Sequence, residues 1–340
     1  MKLPPIVLFA GATLLPFGLL WLEVFARGPF GLFALIVLTV VAGLVDHLSP
    51  QLSRPSGVSA RPNRHGALAL QWILGIGHIG LILALPFVVQ RGGLASLIFT
   101  FALASFAGQI THPNAHELIH HPSRAARRLG HSLYASLGMG HHASAHLLIH
   151  HPHVATARDP NSPALGVGFW AYLTRAWWGS FHGALARETA RRGGVTWAHP
   201  YPWHIALTAL FLIYAFAAGG GLALTAFLLV AALFHIQVML SDYIQHYGLR
   251  RAIDADGRPA PQSAQDSWNA PRPFSTNMLL AAPLHSDHHL NPTRSYVELS
   301  CAPDHPRLPY SLPVMAALAT VPPLWRRVMD PRAARWAARK

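Results

Sequence analysis

Five apolar stretches that could span a membrane carry no Asp, Glu, Lys or Arg: residues 3–22, 29–45, 66–90, 92–111 and 204–241. A helix needs roughly 20 apolar residues to cross the hydrocarbon core of a bilayer. The first four runs are of that order, and the fifth is about twice as long. Gly219, Gly220 and Gly221 interrupt the fifth near its middle, which predicts a short hairpin of two helices. The pattern therefore predicts an all-α polytopic membrane protein with six transmembrane helices. Helices 1–4 occupy residues 1–111 and helices 5–6 occupy 204–241. A long polar segment over 112–203 and a polar C-terminal segment over 242–340 lie outside the membrane. The first run reads as a spanning helix rather than a cleaved signal peptide, because no basic start leads to a small-residue cleavage site and further spans follow. Residues 51–65, rich in Pro, Ser and Arg, form the loop between the first two hairpins. Residues 254–273 read as loop. The apolar stretch 311–325 is short and contains Pro313, Pro322 and Pro323, so it lies against the domain or the membrane surface rather than spanning.

Composition agrees: 52% of residues are hydrophobic and 11% charged, with a net charge of +13. Arginines gather in the polar segments and at Arg54, Arg61 and Arg64. Cytoplasmic loops carry the excess of Lys and Arg. Both termini and both polar segments are thus expected on the cytoplasmic side of the cell inner membrane. The positive charge suits anionic membrane lipid, or an acidic protein docking on that face. Nucleic acid is not an expected partner, since the basic residues lie beside spans and form no reading motif. Cys301 is the only cysteine. That excludes a disulfide framework, a fused rubredoxin-type iron site and an iron–sulfur cluster. Any electrons used must come from another molecule.

The polar segments hold a patterned set of histidines. They are His116 and His120 in HELIH, His146, His150 and His151 in HLLIHH, His246 in SDYIQHYG, and His285, His288 and His289 in HSDHH. Positions i and i+4 share one face of a helix, so His116 and His120 can share a metal. Adjacent pairs such as His150/His151 and His288/His289 point in different directions, so one member can reach each of two metals. HELIH alone also fits a zinc-protease motif, but that reading leaves the other seven unused. Zinc is satisfied by four ligands. Nine imidazoles suit two metals with open positions, and iron fits an oxygen-activating role better than copper or manganese. His112, His121, His141, His142 and His153 lie close to the clusters and are expected to support them or to sit at the surface. A metal transporter or sensor would place ionisable residues within the spans. Only His78, His235 and, at an edge, His204 occur there.

With these motifs in hand, the sequence resembles the membrane alkane 1-monooxygenase family, within the membrane fatty acid desaturase/hydroxylase superfamily. The matching blocks are AHELIH at 115–120, HLLIHHPHVATARDPNS at 146–162, SDYIQHYGL at 241–249, DSWNAP at 266–271, LHSDHHLNPTRSY at 284–296 and VPPLWRRVMDP at 321–331. The resemblance implies a cytoplasmic non-haem di-iron centre with His116, His120, His146, His150, His151, His246, His285, His288 and His289 as its ligands. It implies terminal hydroxylation of n-alkanes to primary alcohols, with O2 as cosubstrate and electrons from rubredoxin or ferredoxin and its reductase. Hydroxylation of alkyl-aromatic methyl groups and fatty-acid desaturation or hydroxylation are the alternatives within the superfamily. The family often has Glu where this chain has Ala145 and Gln245. Carboxylates orient metal-bound imidazoles. Glu117, Asp159, Asp242 and Asp287 remain in the motif blocks, and Glu117, then Asp287, are the residues expected to support the centre in this way. An apolar substrate cavity is expected between helices at the cytoplasmic boundary, with Trp72, Phe101, Phe106 and Phe234 as aromatic candidates for its wall.

Overall fold

The computed structural model describes residues 5–49 and 62–338. Arg54 and Arg61, with most of the expected loop at 51–65, lie outside the described residues. Among those residues the chain is helical, and its only extended pairings are two isolated bridges. Five helices are long and apolar enough to cross a membrane. Four are α1 (Pro5–Ala26), α2 (Phe30–Leu48), α3 (Arg64–Val89) and α4 (Gly93–His120). Three polar-segment helices follow: α5 (Arg124–Ser136), α6 (residues 141–153) and α7 (Phe169–Arg192). The fifth long apolar helix, α8 (Pro200–His246), has 47 residues.

α8 is a hairpin, not a rod. Gly220 has φ 64° and ψ −158°, a conformation open to glycine and to few other residues. The reversal shows in the partners on either side. Thr208 Oγ1 donates to Ala135 O at 2.7 Å, and His235 Nε2 lies 2.8 Å from Leu137 O. In a straight helix those two side chains would stand about 40 Å apart. The six expected spans thus correspond to five continuous helices, the last of which folds back on itself.

The turns stand together at one end of the bundle. Arg91 donates to the carbonyls of Glu23 and Val24, tying the α3–α4 turn to the end of α1. Gln90 Nε2 donates to Ala218 O at 2.6 Å, tying the same turn to the tip of the hairpin. The histidine clusters lie at the other end.

The sequence boundary at residue 112 falls inside a continuous helix. α4 has 28 residues, or about 42 Å at 1.5 Å per residue, some 12 Å more than a hydrocarbon core needs. Loss of apolar character marks a change of surroundings, not a helix end. α4 stops at His121, whose ψ of 140° is the conformation imposed by the following Pro122. α8 likewise runs on to His246 and ends at Tyr247 and Gly248, where φ is 69°. Two of the four clusters therefore ride on stiff extensions of spanning helices.

The tail packs back on this frame through α9 (Pro273–Met278), α10 (His285–Leu290), α11 (Leu312–Ala319) and α12 (Pro322–Ala337). Asp46, at the end of α2, is 1% exposed. Its carboxylate accepts from Phe274 N at 2.8 Å and Ser275 N at 3.1 Å, capping the start of α9. Arg272 donates to Asp46 O and Ser49 O at 3.3 and 3.1 Å. Tyr296 meets the edge of Phe9 at 4.8 Å and donates to Ala67 O. The apolar stretch 311–325 forms α11 and the start of α12. Trp325 buries its ring 5.3 Å from both Tyr243 and Tyr247.

Asp46→Ala should lower stability by about 1–3 kcal/mol, because it leaves buried N–H groups of α9 without an acceptor. Thermal unfolding in detergent reads this. A wild-type melting curve would mean that the tail is held elsewhere.

Candidate metal centre

The nine clustered histidines come together from four segments into two groups. His116, His120, His146, His151 and His288 form one, and His150, His246, His285 and His289 the other. Within each group one nitrogen per ring lies within 4.8 Å of all the others. Nε2 atoms of His146 and His151 are 2.9 Å apart, and those of His151 and His288 3.3 Å. In the second group, His285 Nε2 is 3.0 Å from both His246 Nε2 and His289 Nε2. A neutral imidazole carries one N–H, so three Nε2 atoms cannot satisfy one another at such distances. Two nitrogens each about 2.1 Å from one cation and about 90° apart are about 3 Å from each other. The buried Nε2 atoms of His116, His120 and His150 have no protein partner. This donor set fits two metal ions.

Local helix geometry deals the rings to the groups. On α4, His116 and His120 are one turn apart, with rings 5.2 Å from centre to centre. Residues His146–His150 form a π-helical turn within α6. In such a turn i and i+5 come onto one face, so His146 meets His151 while His150 turns to the second group. On α10, His285 and His289 share one face and His288 points to the first group. Each adjacent pair, His150/His151 and His288/His289, is thus divided between the groups. Burial and the neighbouring imidazoles push His146, His151, His285, His288 and His289 well below the usual histidine range. They are neutral, as ligation requires.

Asp159 makes the direct carboxylate contact. Burial disfavours a charged His150, yet the Asp159 carboxylate outweighs burial and raises the value. Asp159 Oδ2 lies 2.9 Å from His150 Nδ1, leaving Nε2 free to face the group. Burial opposes the charge of Asp159 as well, but His150 and Ser162 hold it below the usual carboxylate range. Ser162 Oγ donates at 2.6 Å and Asn161 N at 3.0 Å. Asn161 Nδ2 in turn donates to Asp242 at 2.7 Å. The DPNS string carries this arrangement in the sequence. The Asp266 carbonyl, 3.2 Å from His246 Nδ1, has no such signal.

The other expected supports behave differently. Glu117 stands 4.0 Å from His288 Nδ1 and accepts from Tyr296 N at 3.1 Å. Asp287 touches no histidine. Its carboxylate accepts from Arg294, Asn291, Ser300 N and Ser300 Oγ, and so braces the loop after α10. Ala145 packs with Ile149, Ala184 and Tyr201 in a small apolar cluster. Gln245 donates to Ala282 O and accepts from Ser241, so it latches α8 to the tail.

Of the nearby histidines, His112 and His142 border the centre, their rings 6.2 Å from His116 and 5.7 Å from His146. His141 packs on Trp177, His121 accepts from Ser123 N, and His153 is half-buried beside Arg187. An apolar cavity of about 400 Å³ opens between α2, α4, α8 and α11, with His112 in its wall. Trp72, Phe101, Phe106 and Phe234 do not line it. Phe106 and Phe234 are packed into the core against Phe17 and Tyr134, and Phe101 faces outward.

The family model for fatty acid desaturases matches residues 92–316. Among curated proteins, the chain is 35% identical over 230 residues to an alkane 1-monooxygenase of Pseudomonas putida, covering 65% of this chain and 56% of that protein. It is 31% identical over 248 residues to alkane 1-monooxygenase 1 of Pseudomonas aeruginosa, covering 72% and 65%. With alkane 1-monooxygenase 2 of the same organism it shares 28% over 314 residues, covering 87% and 83%. The matched region spans every histidine of the two groups. The apolar helices, the paired imidazole groups and the extent of this match lead to one assignment: the chain belongs to the fatty acid desaturase family, as a multi-pass membrane protein whose imidazole groups fit a non-haem metal centre.

Proposed function

We propose that this protein is a di-iron monooxygenase that hydroxylates the terminal carbon of n-alkanes to primary alcohols. One observation carries the reading: two converging groups of imidazoles stand beside the end of an apolar cavity within the membrane helices. The names of the relatives support the alkane substrate. His116, His120, His146, His151 and His288 would hold one iron, and His150, His246, His285 and His289 the other. When bound, the irons supply the activation of O2 that attack on an unreactive C–H bond requires. The chain's own part is to fix the imidazoles, exclude water and present one end of an apolar chain. Asp159 fixes His150 in the tautomer that turns Nε2 inward, and the Asp266 carbonyl does the same for His246.

The electrons come from a rubredoxin or ferredoxin and its reductase, docking on the cytoplasmic face. Support comes from a groove of about 880 Å³ rimmed by Arg124, Arg127, Arg128, Arg191 and Arg192, with Glu188 the one carboxylate. Leu147 and Leu148 on its floor lie between His146 and His150. Arg250 and Arg251 do not belong to this surface. Arg250 donates to Ser162 O, and Arg251 to Val154 O and Pro152 O, so both brace loops. Among the described residues, the turn end of the bundle holds Arg27 and Arg91 as its only arginines near the tips, against the many arginines of the histidine end, which supports a cytoplasmic centre in the inner membrane.

Cells expressing the protein and fed octane should form 1-octanol. Xylene oxidation without octane oxidation would move the substrate to alkyl-aromatic methyl groups, and conversion of a fatty acid alone would sink the hydrocarbon reading.

Purified protein should carry about two irons per chain. His150→Ala and His288→Ala should each lower iron content and abolish turnover, whereas His305→Ala should keep both. Full iron in the first two variants, by elemental analysis, would overturn the ligand assignment.

Turnover with a soluble acidic donor should fall as salt rises, since steering between exposed charges is screened over about 8 Å at physiological ionic strength. Arg124→Glu with Arg128→Glu should raise the apparent KM for the donor and leave iron content unchanged. Indifference to both changes would leave the basic groove to lipid.

A further inference from the structure

The cavity beside the metal centre is apolar but not featureless. Its wall includes Thr39, Ser105, Gln109, His112, Gln237 and Ser241. Four of these use their donors inside the protein. Thr39 Oγ1 donates to Leu35 O at 2.6 Å, Ser105 Oγ to Phe101 O at 2.9 Å, Gln237 Nε2 to Ala104 O at 2.9 Å and Ser241 Oγ to Gln245 Oε1 at 2.9 Å. Gln109 and His112 remain.

Gln109 Oε1 is buried and has no hydrogen-bond partner. His112 is 6% exposed, and its ring makes a single hydrogen bond, Nδ1 to Tyr134 Oη at 2.9 Å. Burial keeps the Tyr134 phenol protonated. Because Nδ1 is taken, Nε2 is left with one unused hydrogen-bonding function. Whichever ring nitrogen carries the proton, that function is either a donor or an acceptor. Gln109, in the π-helical turn Ala107–Thr111, and His112, directly after that turn, both line this cavity. Most of the wall is apolar, so unmet polar groups there are costly. A hydroxyl is the small group that both donates and accepts, and it can answer both residues at once.

We propose that His112 and Gln109 form a hydroxyl-binding subsite at the end of the cavity next to His116. The cavity then holds primary alcohols more tightly than hydrocarbons of the same length. The inference rests on the hydrocarbon reading for its choice of ligand. Its consequence is that the product is retained where it forms, and that it competes with incoming substrate. His112 acts here as a positioning residue for the hydroxyl and takes no part in holding metal.

The test is equilibrium binding of radiolabelled 1-octanol and octane to the protein in nanodiscs, with empty nanodiscs subtracted for partitioning into lipid. Wild type should bind 1-octanol about tenfold more tightly than octane, the size of one net hydrogen bond. His112→Leu should abolish the preference while octane binding changes less than about twofold. His112→Gln keeps a donor and an acceptor and should retain most of it. Gln109→Leu should reduce the preference in the same way and covers the case in which His112→Leu does not fold. Equal affinity for the two ligands in wild type, or an unchanged preference in both Leu variants, overturns the subsite while the hydrocarbon reading stands. Saturable binding of 1-octanol without octane upholds the subsite and overturns the hydrocarbon reading. If neither ligand binds saturably, both fall.

Discussion

Everything else in this structure is arranged around the convergence of nine imidazoles in a dry interior. A buried nitrogen without a partner costs about 1–3 kcal/mol. Here Nε2 atoms approach to 2.9–3.3 Å with too few protons to join them. His116, His120 and His150 turn further Nε2 atoms inward with no protein partner at all. No packing of apolar side chains offsets such an arrangement. Cations bound between the rings do, because each converging lone pair then finds an acceptor of electron density. The fold must hold the rings apart from water until that happens, which explains why so much tail is wrapped over them.

The frame that holds them is built from helices that overshoot the membrane. α4 and α8 leave the apolar zone without breaking and carry His116, His120 and His246 on their extensions. A ligand on such a rod inherits the rigidity of the bundle. The remaining six histidines sit on two short helices, α6 and α10, which have little stability alone. They are fixed from outside instead. Asp159 with Ser162 and Asn161 braces α6, and Asp287 with Arg294 and Ser300 braces the loop leaving α10. Carboxylates in this chain are few, and those near the centre mostly act on backbone and loops rather than on metal-bound rings.

Much of this was legible in the sequence because it depends on local spacing. Apolar run length predicted the spans, and the triple glycine predicted the hairpin. The i, i+4 and adjacent-pair spacing of histidines predicted rings facing two ways. What was not legible depends on tertiary contacts. The boundary at residue 112 marks a change of polarity and not a helix end, because polarity reports surroundings, whereas the helix persists until Pro122 stops it. The π turn at His146–His150 leaves no signature in residue type. Trp72, Phe101, Phe106 and Phe234 were reasonable cavity walls by size, yet helix rotation sends them to the core or outward. The cavity is lined instead by aliphatic side chains such as Leu38, Leu240 and Ile244, with the small Ala282, Ala316 and Ala317 among them.

Ala145 and Gln245 show how a departure from a family pattern can be absorbed. Both positions precede a clustered histidine, where a carboxylate in relatives would be expected to tune the ring. In this chain neither faces an imidazole. Ala145 is committed to an apolar contact between α6 and α7, and Gln245 ties α8 to Ala282 and Ser241. His246, which follows Gln245, is instead oriented by the Asp266 carbonyl, whereas His146, which follows Ala145, has a buried Nδ1 with no protein partner. A neutral carbonyl stabilises a bound imidazole less than a carboxylate does, since it adds no charge. The two groups are therefore electrically unequal. The group containing His150 has Asp159 and Asp242 beside it, whereas the group containing His288 has only Glu117 at 4.0 Å. Identical ions in the two groups would meet different fields, and the one nearer Asp159 would be the easier to hold in its more oxidised state.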